Sequence, residues 1–308
     1  MKQRITIRNK FYSLKASWEL LLFCLPGLII TFIYCYLPLW GVQIAFFDYN
    51  PRRGIAGSTW VGWENFERFF QSANAWNIIG NTLILSVYSL AVELPLAILF
   101  ALALNALRHK RYRKVIQAVT YAPQFISTIV MCGMITMFLS PRIGIINTLI
   151  QMLGGESVNF LDNPAWWRHI YVWSGVWQST GWNSLIFFAA LSRVNPEHYE
   201  AAIMDGATRF QRVCYIDLPV LKPIAALVLL LRCGSMMSIG YEKALALQND
   251  LNLSVSQIIS TYVYQMGLLN RDISFSTAID LFNSAVNVVL LVLVYFVTRR
   301  LSDDEPLR

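Results

Sequence analysis

Six long apolar runs restrict the fold of this 308-residue chain more than any single motif does. They cover about residues 19–47, 77–107, 114–140, 168–192, 218–243 and 275–299. Each run is long enough to cross the hydrocarbon core as an α-helix, which needs roughly 20 residues. Unpaired backbone groups are costly in lipid, so runs of this kind fold as helices. The sequence therefore predicts an all-α integral membrane protein with six transmembrane helices.

The charge of the chain fits a membrane protein better than a nucleic-acid-binding protein. Only 14% of the residues are charged and 56% are hydrophobic, whereas a soluble domain carries about a quarter charged residues. The formal net charge of +7 comes from Lys and Arg in short clusters beside the apolar runs. Such clusters are typical of topology determinants, so we expect the lipid bilayer and not nucleic acid as a partner.

The same basic residues predict the orientation of the chain. Seventeen Lys and Arg flank one set of loops, and seven flank the alternate set. By the positive-inside rule, both termini and the loop at 195–219 face the cytoplasm. The expected organisation is a cytoplasmic segment at 1–18, a six-span domain at 19–300 and a cytoplasmic tail at 301–308.

A polar loop follows the fourth apolar run. Asn195 is a suitable N-cap and Pro196 suits the first helical turn, which predicts a helix over about 196–204. Gly206 can adopt the backbone angles that end such a helix, and a second short helix is expected over 208–215. Because this loop must fold in water at the bilayer surface, we interpret it as a docking element for a soluble partner.

The loop also carries a spaced motif. Glu200-Ala201-Ala202 is followed after three residues by Gly206, and after nine more by Ile216-Asp217-Leu218-Pro219. This spacing resembles the EAA loop of permease subunits in bacterial type I ABC importers. The resemblance implies coupling helices that sit in a cleft of a cytoplasmic ATPase subunit. The residues expected to couple to that ATPase are Glu200, Ala201, Ala202, Asp205, Gly206, Ile216, Leu218 and Pro219.

Weaker similarity extends over nearly the whole chain. The loop at 47–70, Tyr121-Ala122-Pro123 and Gly240-Tyr241-Glu242-Lys243 are similar to the carbohydrate branch of these permeases, in the maltose-permease-like subgroup that imports complex oligosaccharides. The resemblance implies the type I permease fold in a bacterial inner membrane. It also implies a second related permease subunit, two copies of a cytoplasmic ATPase, an extracytoplasmic solute-binding protein and an oligosaccharide substrate.

Nothing in the sequence indicates a nucleotide site or a catalytic centre. No GxxxxGK[ST] phosphate loop is present, so ATP and Mg²⁺ are expected on a separate ATPase subunit and no cofactor on this chain. The five cysteines form no CxxC pair, and the three histidines are scattered over loops. A transport subunit is therefore favoured over a membrane enzyme. The alternative is an ion-coupled transporter or channel without an ATPase partner, which would transport without ATP.

Ionisable residues inside the apolar runs indicate a polar interior, because such groups are costly in hydrocarbon. Glu93, Arg232 and Asp280 are the most prominent. Two helix faces carry polar residues at helical spacing, namely Thr82, Ser86, Ser89 and Glu93 in the second run and Ser276, Asp280, Asn283 and Asn287 in the last. A polar pathway and hydrogen bonds between helices explain these faces equally well. Asp280 departs from the small residue that is usual in the resembling family.

Aromatic residues supply further candidates for a substrate pathway. Trp173 and Trp177 are four residues apart and could offer ring faces to a sugar, although packing against lipid or protein is an alternative. Arg232, if neutralised by Glu93 or Asp280, could present its guanidinium to sugar hydroxyls or to a uronic acid carboxylate. The candidate pathway residues are Glu93, Trp173, Trp177, Arg232, Tyr241, Glu242, Asp280, Asn283 and Asn287.

Overall fold

The computed structural model describes residues 18–107 and 109–302. The predicted cytoplasmic segments at 1–18 and 301–308 lie almost entirely outside these ranges. Within the described ranges the chain is helical apart from one short two-stranded ribbon and the connecting loops. This architecture agrees with the predicted all-α class.

The helices differ widely in length. In chain order they are α1 (Trp18–Thr31), α2 (Glu64–Gln71), α3 (Ala75–Ala106), α4 (Lys110–Tyr121), α5 (Thr128–Phe138), α6 (Ile145–Met152), α7 (Pro164–Leu191), α8 (Pro196–Met204), α9 (Arg209–Arg212), α10 (Leu218–Cys233), α11 (Tyr241–Leu247), α12 (Leu253–Ser256), α13 (Ile259–Tyr264) and α14 (Ile273–Ser302). Tighter 3-10 or wider π turns occupy Phe32–Tyr36, Leu37–Phe46, Ala122–Phe125, Val213–Asp217 and Gln265–Leu269. In the ribbon, β1 (Phe47–Asp48) pairs antiparallel with β2 (Thr59–Trp60).

Four helical segments of the described chain are long and apolar enough to cross a membrane. They are Leu22–Phe46, Ala75–Ala106, Arg209–Cys233 and Ile273–Phe296. A fifth span results if α4 with its 3-10 turn and α5 are taken together, although the two parts are bent by 98°. The 28-residue helix α7 contains most of the fourth apolar run but is less apolar. The count of six transmembrane helices therefore stays a prediction.

Two of the apolar runs are not continuous helices. The run at 114–140 is not one straight span, because α4 ends at Tyr121 and α5 leaves in a new direction after the turn that contains Pro123. Proline lacks the amide hydrogen that a continuing helix needs, which gives a physical reason for the break. The run at 218–243 is helical only as far as Cys233, after which the chain turns before α11 begins.

Three apolar clusters pack the helices around α3 and α7. Representative members are Leu85, Met131 and Trp167 in the first, Phe69, Ile78 and Phe275 in the second, and Ala97, Phe187 and Leu221 in the third. The helices α4 and α7 approach so closely at Gly181 that an added Cβ atom would collide with the carbonyl of Thr120. This close packing fixes the walls of the interior.

Large apolar side chains cover much of the outer surface. Examples in the first span are Phe23, Tyr34 and Trp40, which are all strongly exposed. An extended apolar surface of this kind is stable only against lipid or another protein. The first span therefore belongs in a bilayer or against another subunit.

Candidate functional site

The polar loop forms a helix that ends at a glycine turn. α8 occupies Pro196–Met204, as predicted, and the Asn195 side chain accepts a hydrogen bond from the Glu197 amide at 3.1 Å. Gly206 has a φ of +77°, in the left-handed region that glycine tolerates best. The predicted helix end is confirmed, and the turn depends on this glycine.

The second helix of the loop is longer than predicted. The Thr208 amide donates to Gln211 Oε1 at 2.8 Å, and the Gln211 amide donates to Thr208 Oγ1 at 3.3 Å, so the two residues form a capping box. The helix does not end at Tyr215 but continues through the π turn Val213–Asp217 into α10. Pro219 does not interrupt it, because this residue lies in the first turn of α10.

The loop presents a largely exposed surface. Of the predicted coupling residues, Glu200, Ala201, Asp205, Gly206, Leu218 and Pro219 are exposed, whereas Ala202 and Ile216 are half-buried. The structure adds apolar side chains that the motif does not contain, because Met204, Phe210 and Tyr215 are 88%, 77% and 79% exposed. The sequence signal for them was the presence of large apolar groups in a loop that is otherwise polar. We call Glu200, Ala201, Met204, Phe210 and Tyr215 the coupling surface.

A half-buried polar junction joins α3, α8 and the turn that precedes α10. The Tyr199 hydroxyl donates to Asp217 Oδ1 at 2.5 Å, and Asn105 Nδ2 lies 3.4 Å from each of these two oxygens. Asp217 is buried. Burial is the main cause that raises the pKa of Tyr199 to about 12, and the hydrogen bond with Asp217 is the second. The hydroxyl therefore keeps its proton at neutral pH. We call Asn105, Tyr199 and Asp217 the polar junction.

A cavity of about 910 Å³ lies between α3, α7, α10 and the segment that leads into α11. Its polar lining includes Ser86, Ser89, Glu93, Gln178, Arg232 and Lys243. Ser89 Oγ and Gln124 Oε1, which also belong to this lining, are buried and have no hydrogen-bond partner among the described residues. Buried polar atoms normally have a partner, so these two are available to water or a ligand.

Three charged side chains converge on the cavity. Arg232 Nη1 lies 3.7 Å from Glu93 Oε2. The buried Lys243 ammonium donates to the carbonyl of Tyr171 and lies 4.4 Å from the centre of the Tyr171 ring. A Cβ atom on Gly175 would lie 3.1 Å from Glu93 Oε1 and 3.2 Å from Lys243 Nζ, so the glycine leaves room for both. One carboxylate and two cations thus lie around the same cavity, and the three side chains carry a formal net charge of +1.

Lys243 is one of the seven basic residues that the charge count assigned to the outer loops, and the structure instead places its side chain in the interior. Its side chain is buried in the cavity lining because α10 ends at Cys233 and the segment at 234–240 turns the chain toward the interior. In the described part of the chain, no group of three or more His, Cys, Asp or Glu side chains could hold a metal ion.

The predicted aromatic candidates lie outside this cavity. Trp173 and Trp177 are about half exposed and do not belong to its lining, whereas Trp182 of the same helix does. Tyr241 and Glu242 are exposed at the start of α11, and they are also outside the lining. The structure therefore separates these four candidates from Glu93 and Arg232.

The polar face of α14 supports the cavity wall and does not line it. Asn287 Oδ1 accepts a hydrogen bond from the Met237 amide at 2.8 Å, and Asn287 Nδ2 donates to Ser238 Oγ at 3.0 Å. The buried Asn283 donates to the same hydroxyl at 3.4 Å. Asp280 is exposed and outside the lining. Hydrogen bonds between segments therefore involve both Asn283 and Asn287, while Asn283 Oδ1 is buried without a hydrogen-bond partner among the described residues.

Comparison with known proteins assigns a family to this chain. Residues 93–303 match the family described as binding-protein-dependent transport system inner membrane component. The chain is 39% identical to Protein LplB of Bacillus subtilis (strain 168) over 292 residues, which cover 95% of this chain and 92% of that relative. It is 38% identical to the polygalacturonan/rhamnogalacturonan transport system permease protein YteP of the same bacterium, over 92% of this chain and 89% of that relative.

A solved structure has the same fold. It is a chain from the crystal structure of a bacterial ABC transporter involved in the import of the acidic polysaccharide alginate, with a TM-score of 0.88 and 35% identity over 96% of this chain and 99% of that chain. These matches confirm the predicted type I ABC importer permease fold and a transport role in place of an enzymatic one. This membrane protein belongs to the family of inner-membrane components of binding-protein-dependent transport systems.

Proposed function

We propose that this chain forms half of the translocation pathway of an ATP-driven importer for an oligosaccharide. The observation that carries the proposal is the continuous helical segment Arg209–Cys233. It starts beside the exposed coupling surface and includes Arg232 in the cavity wall. A continuous segment of this kind joins a docking element to a ligand site.

The proposed complex contains four kinds of subunit. A second, related permease completes the pathway, two copies of a cytoplasmic ATPase hold ATP and Mg²⁺, and an extracytoplasmic solute-binding protein delivers the sugar. The apolar outer surface supports a permease partner within the bilayer. Another structure that resembles this chain, with a TM-score of 0.87, is of an alginate ABC transporter in complex with an alginate pentasaccharide-bound periplasmic protein.

In this proposal the coupling surface docks in a cleft of the ATPase. Burial of a large apolar side chain contributes about 1.5–3 kcal/mol, and Met204 and Phe210 are exposed for such burial. Glu200 lies in α8, whose amino-terminal end favours negative charge. Docking requires the loop at 195–219 to be cytoplasmic, with both termini on the same side, as the charge distribution predicts.

The cavity favours an oligosaccharide that carries carboxylate groups. Glu93 neutralises only part of the charge of Arg232 and Lys243, so an incoming carboxylate would meet excess positive charge. The guanidinium of Arg232 is suited to a carboxylate because it can donate two parallel hydrogen bonds. The relatives named for polygalacturonan/rhamnogalacturonan and for alginate support the same class of sugar.

Reconstituted vesicles test this function. The permease pair, the ATPase and the binding protein are assembled with ATP on the ATPase side, and uptake of an oligogalacturonate is compared with uptake of a neutral malto-oligosaccharide of equal length. We expect ATP-dependent uptake of the acidic sugar. Uptake that needs only an ion gradient would contradict the importer, and faster uptake of the neutral sugar would contradict the acidic substrate.

A further inference from the structure

Two long helices of this protein are linked by polar contacts at two levels. Near the cavity, Arg232 of α10 lies 3.7 Å from Glu93 of α3. Near the polar loop, Asn105 of α3 lies 3.4 Å from Asp217, which immediately precedes α10. At 1.5 Å of rise per residue, the two levels are about 18 Å apart along α3 and roughly 22 Å apart along α10. The chain between the two levels is helical in both segments, with Pro95 inside α3 and Pro223 inside α10.

The helix α8 contacts the segment that leads into α10 through Tyr199. Its backbone link to α9 is the turn at Gly206, where a positive φ interrupts the helix. The Tyr199 hydroxyl bridges that interruption by donating to Asp217 at 2.5 Å, at the start of the cavity-lining helix. Tyr199 directly precedes Glu200 in α8. Glu200 belongs to the exposed coupling surface, and Tyr199 belongs to the polar junction.

We propose that the polar junction of Asn105, Tyr199 and Asp217 transmits movement of α8 to the two helices that flank the cavity. This inference rests on the proposed docking of the ATPase at the coupling surface. The three residues are positioning residues, since none of them lines the cavity or belongs to the exposed coupling surface. In this arrangement ATP-driven displacement of α8 reaches Glu93 through Asn105 and Arg232 through Asp217.

The chemistry of the junction suits a permanent connection. Asp217 is 5% exposed, and hydrogen bonds strengthen where water is excluded. The Tyr199 hydroxyl keeps its proton at neutral pH, so it can donate to Asp217. Replacement by phenylalanine removes this donor while leaving the ring and its packing in place.

The test compares Tyr199→Phe with the unchanged protein in the full reconstituted complex. The measured quantity is the number of oligogalacturonate molecules taken up per ATP hydrolysed. If the hydrogen bond of Tyr199 transmits the movement, its loss should allow ATP hydrolysis to continue without uptake. We expect this ratio to fall about tenfold, within the range of typical coupling free energies, while the ATPase subunits remain bound. The matched control is Tyr112→Phe, which changes an exposed tyrosine of α4 outside the junction and should leave the ratio unchanged.

Two results would overturn the proposal. One is a normal uptake ratio in Tyr199→Phe, and the other is loss of the ATPase from that complex, which would make Tyr199 a docking residue. If Tyr199→Phe does not fold into the membrane, Asp217→Leu replaces it, since leucine has a similar size but no acceptor oxygen. An unchanged ratio in Asp217→Leu would equally contradict the joint. Normal uptake by Gly206→Val would instead contradict docking of the ATPase at the loop. Failure of the docking proposal is therefore distinguishable from failure of the polar-junction proposal.

Discussion

The coupling surface and the cavity are joined by the helical segment Arg209–Cys233, and they are built in opposite ways. The coupling surface is exposed, and its shape comes from contacts between residues close in sequence, such as the Thr208 and Gln211 capping box. The cavity is enclosed by distant parts of the chain, since Glu93, Arg232 and Lys243 come from three different helices. A local change of backbone should therefore damage the first region, and a change of charge should damage the second.

The largest effect is expected from Gly206→Val in the loop. A β-branched residue is strained at a φ of +77°, at a cost of order 1–3 kcal/mol, so the turn between α8 and α9 should rearrange. Uptake should fall more than tenfold at normal expression, measured as ATP-dependent accumulation in vesicles. Gly206→Asn is the control, because asparagine tolerates the left-handed region and should keep most of the uptake. Full uptake by the valine variant would refute the dependence on backbone shape.

The second prediction concerns the charge balance of the cavity. Arg232→Met should lower oligogalacturonate uptake about tenfold, since a hydrogen bond to a charged group contributes about 1.5–3 kcal/mol. Truncation also leaves Glu93 with one cation fewer, so the double variant Arg232→Met with Glu93→Gln separates the two effects. Uptake should stay low in the double variant. If it returns to normal there, the pair is only structural.

A smaller effect, of severalfold, is expected from Gly175→Ala. The added Cβ atom would lie 3.1 Å from Glu93 Oε1 and 3.2 Å from Lys243 Nζ, so both side chains must shift. Uptake should decline while the ATPase content of the complex stays normal. The control is Gly80→Ala, whose Cβ atom would meet nothing within 4 Å. Equal uptake by the two alanine variants would mean that the cavity tolerates displacement of its charged groups.

The last prediction concerns membrane topology, and its cysteine variants are expected to change transport least. In a cysteine-free background, Ser58→Cys should react with an impermeant thiol reagent from outside the cell. Thr208→Cys should react only after the membrane is permeabilised, since the charge distribution places the polar loop inside. The reverse pattern would exchange the compartments assigned to the two loops.

The same contrast explains what the sequence could predict. The bounds of α8, its Asn195 cap and the turn at Gly206 follow from neighbouring residues, and these features are confirmed. The inward position of Lys243 depends on where α10 ends and how the following segment folds back, and no local pattern specified that. Periodicity likewise placed Asn283 on a polar face but could not distinguish a cavity from a hydrogen bond to another segment.

The bend between α4 and α5 shows an intermediate case. Pro123 was visible in the sequence, and proline often ends a helix. The apolar composition on both sides still favoured one span, whereas the structure bends the segment by 98°. Composition predicts which segments avoid water, whereas tertiary contacts decide their direction.

The central claim is that the loop controls ATP hydrolysis while the cavity selects the sugar. It is tested most directly by measuring hydrolysis stimulated by the loaded binding protein, together with uptake, in vesicles that contain Glu200→Lys or Arg232→Met. We expect Glu200→Lys to lose both activities, because it reverses the charge of an exposed residue on the docking face. Arg232→Met should retain stimulated hydrolysis and lose only uptake. Equal loss of both activities in the two variants, or normal values in Glu200→Lys, would contradict this division.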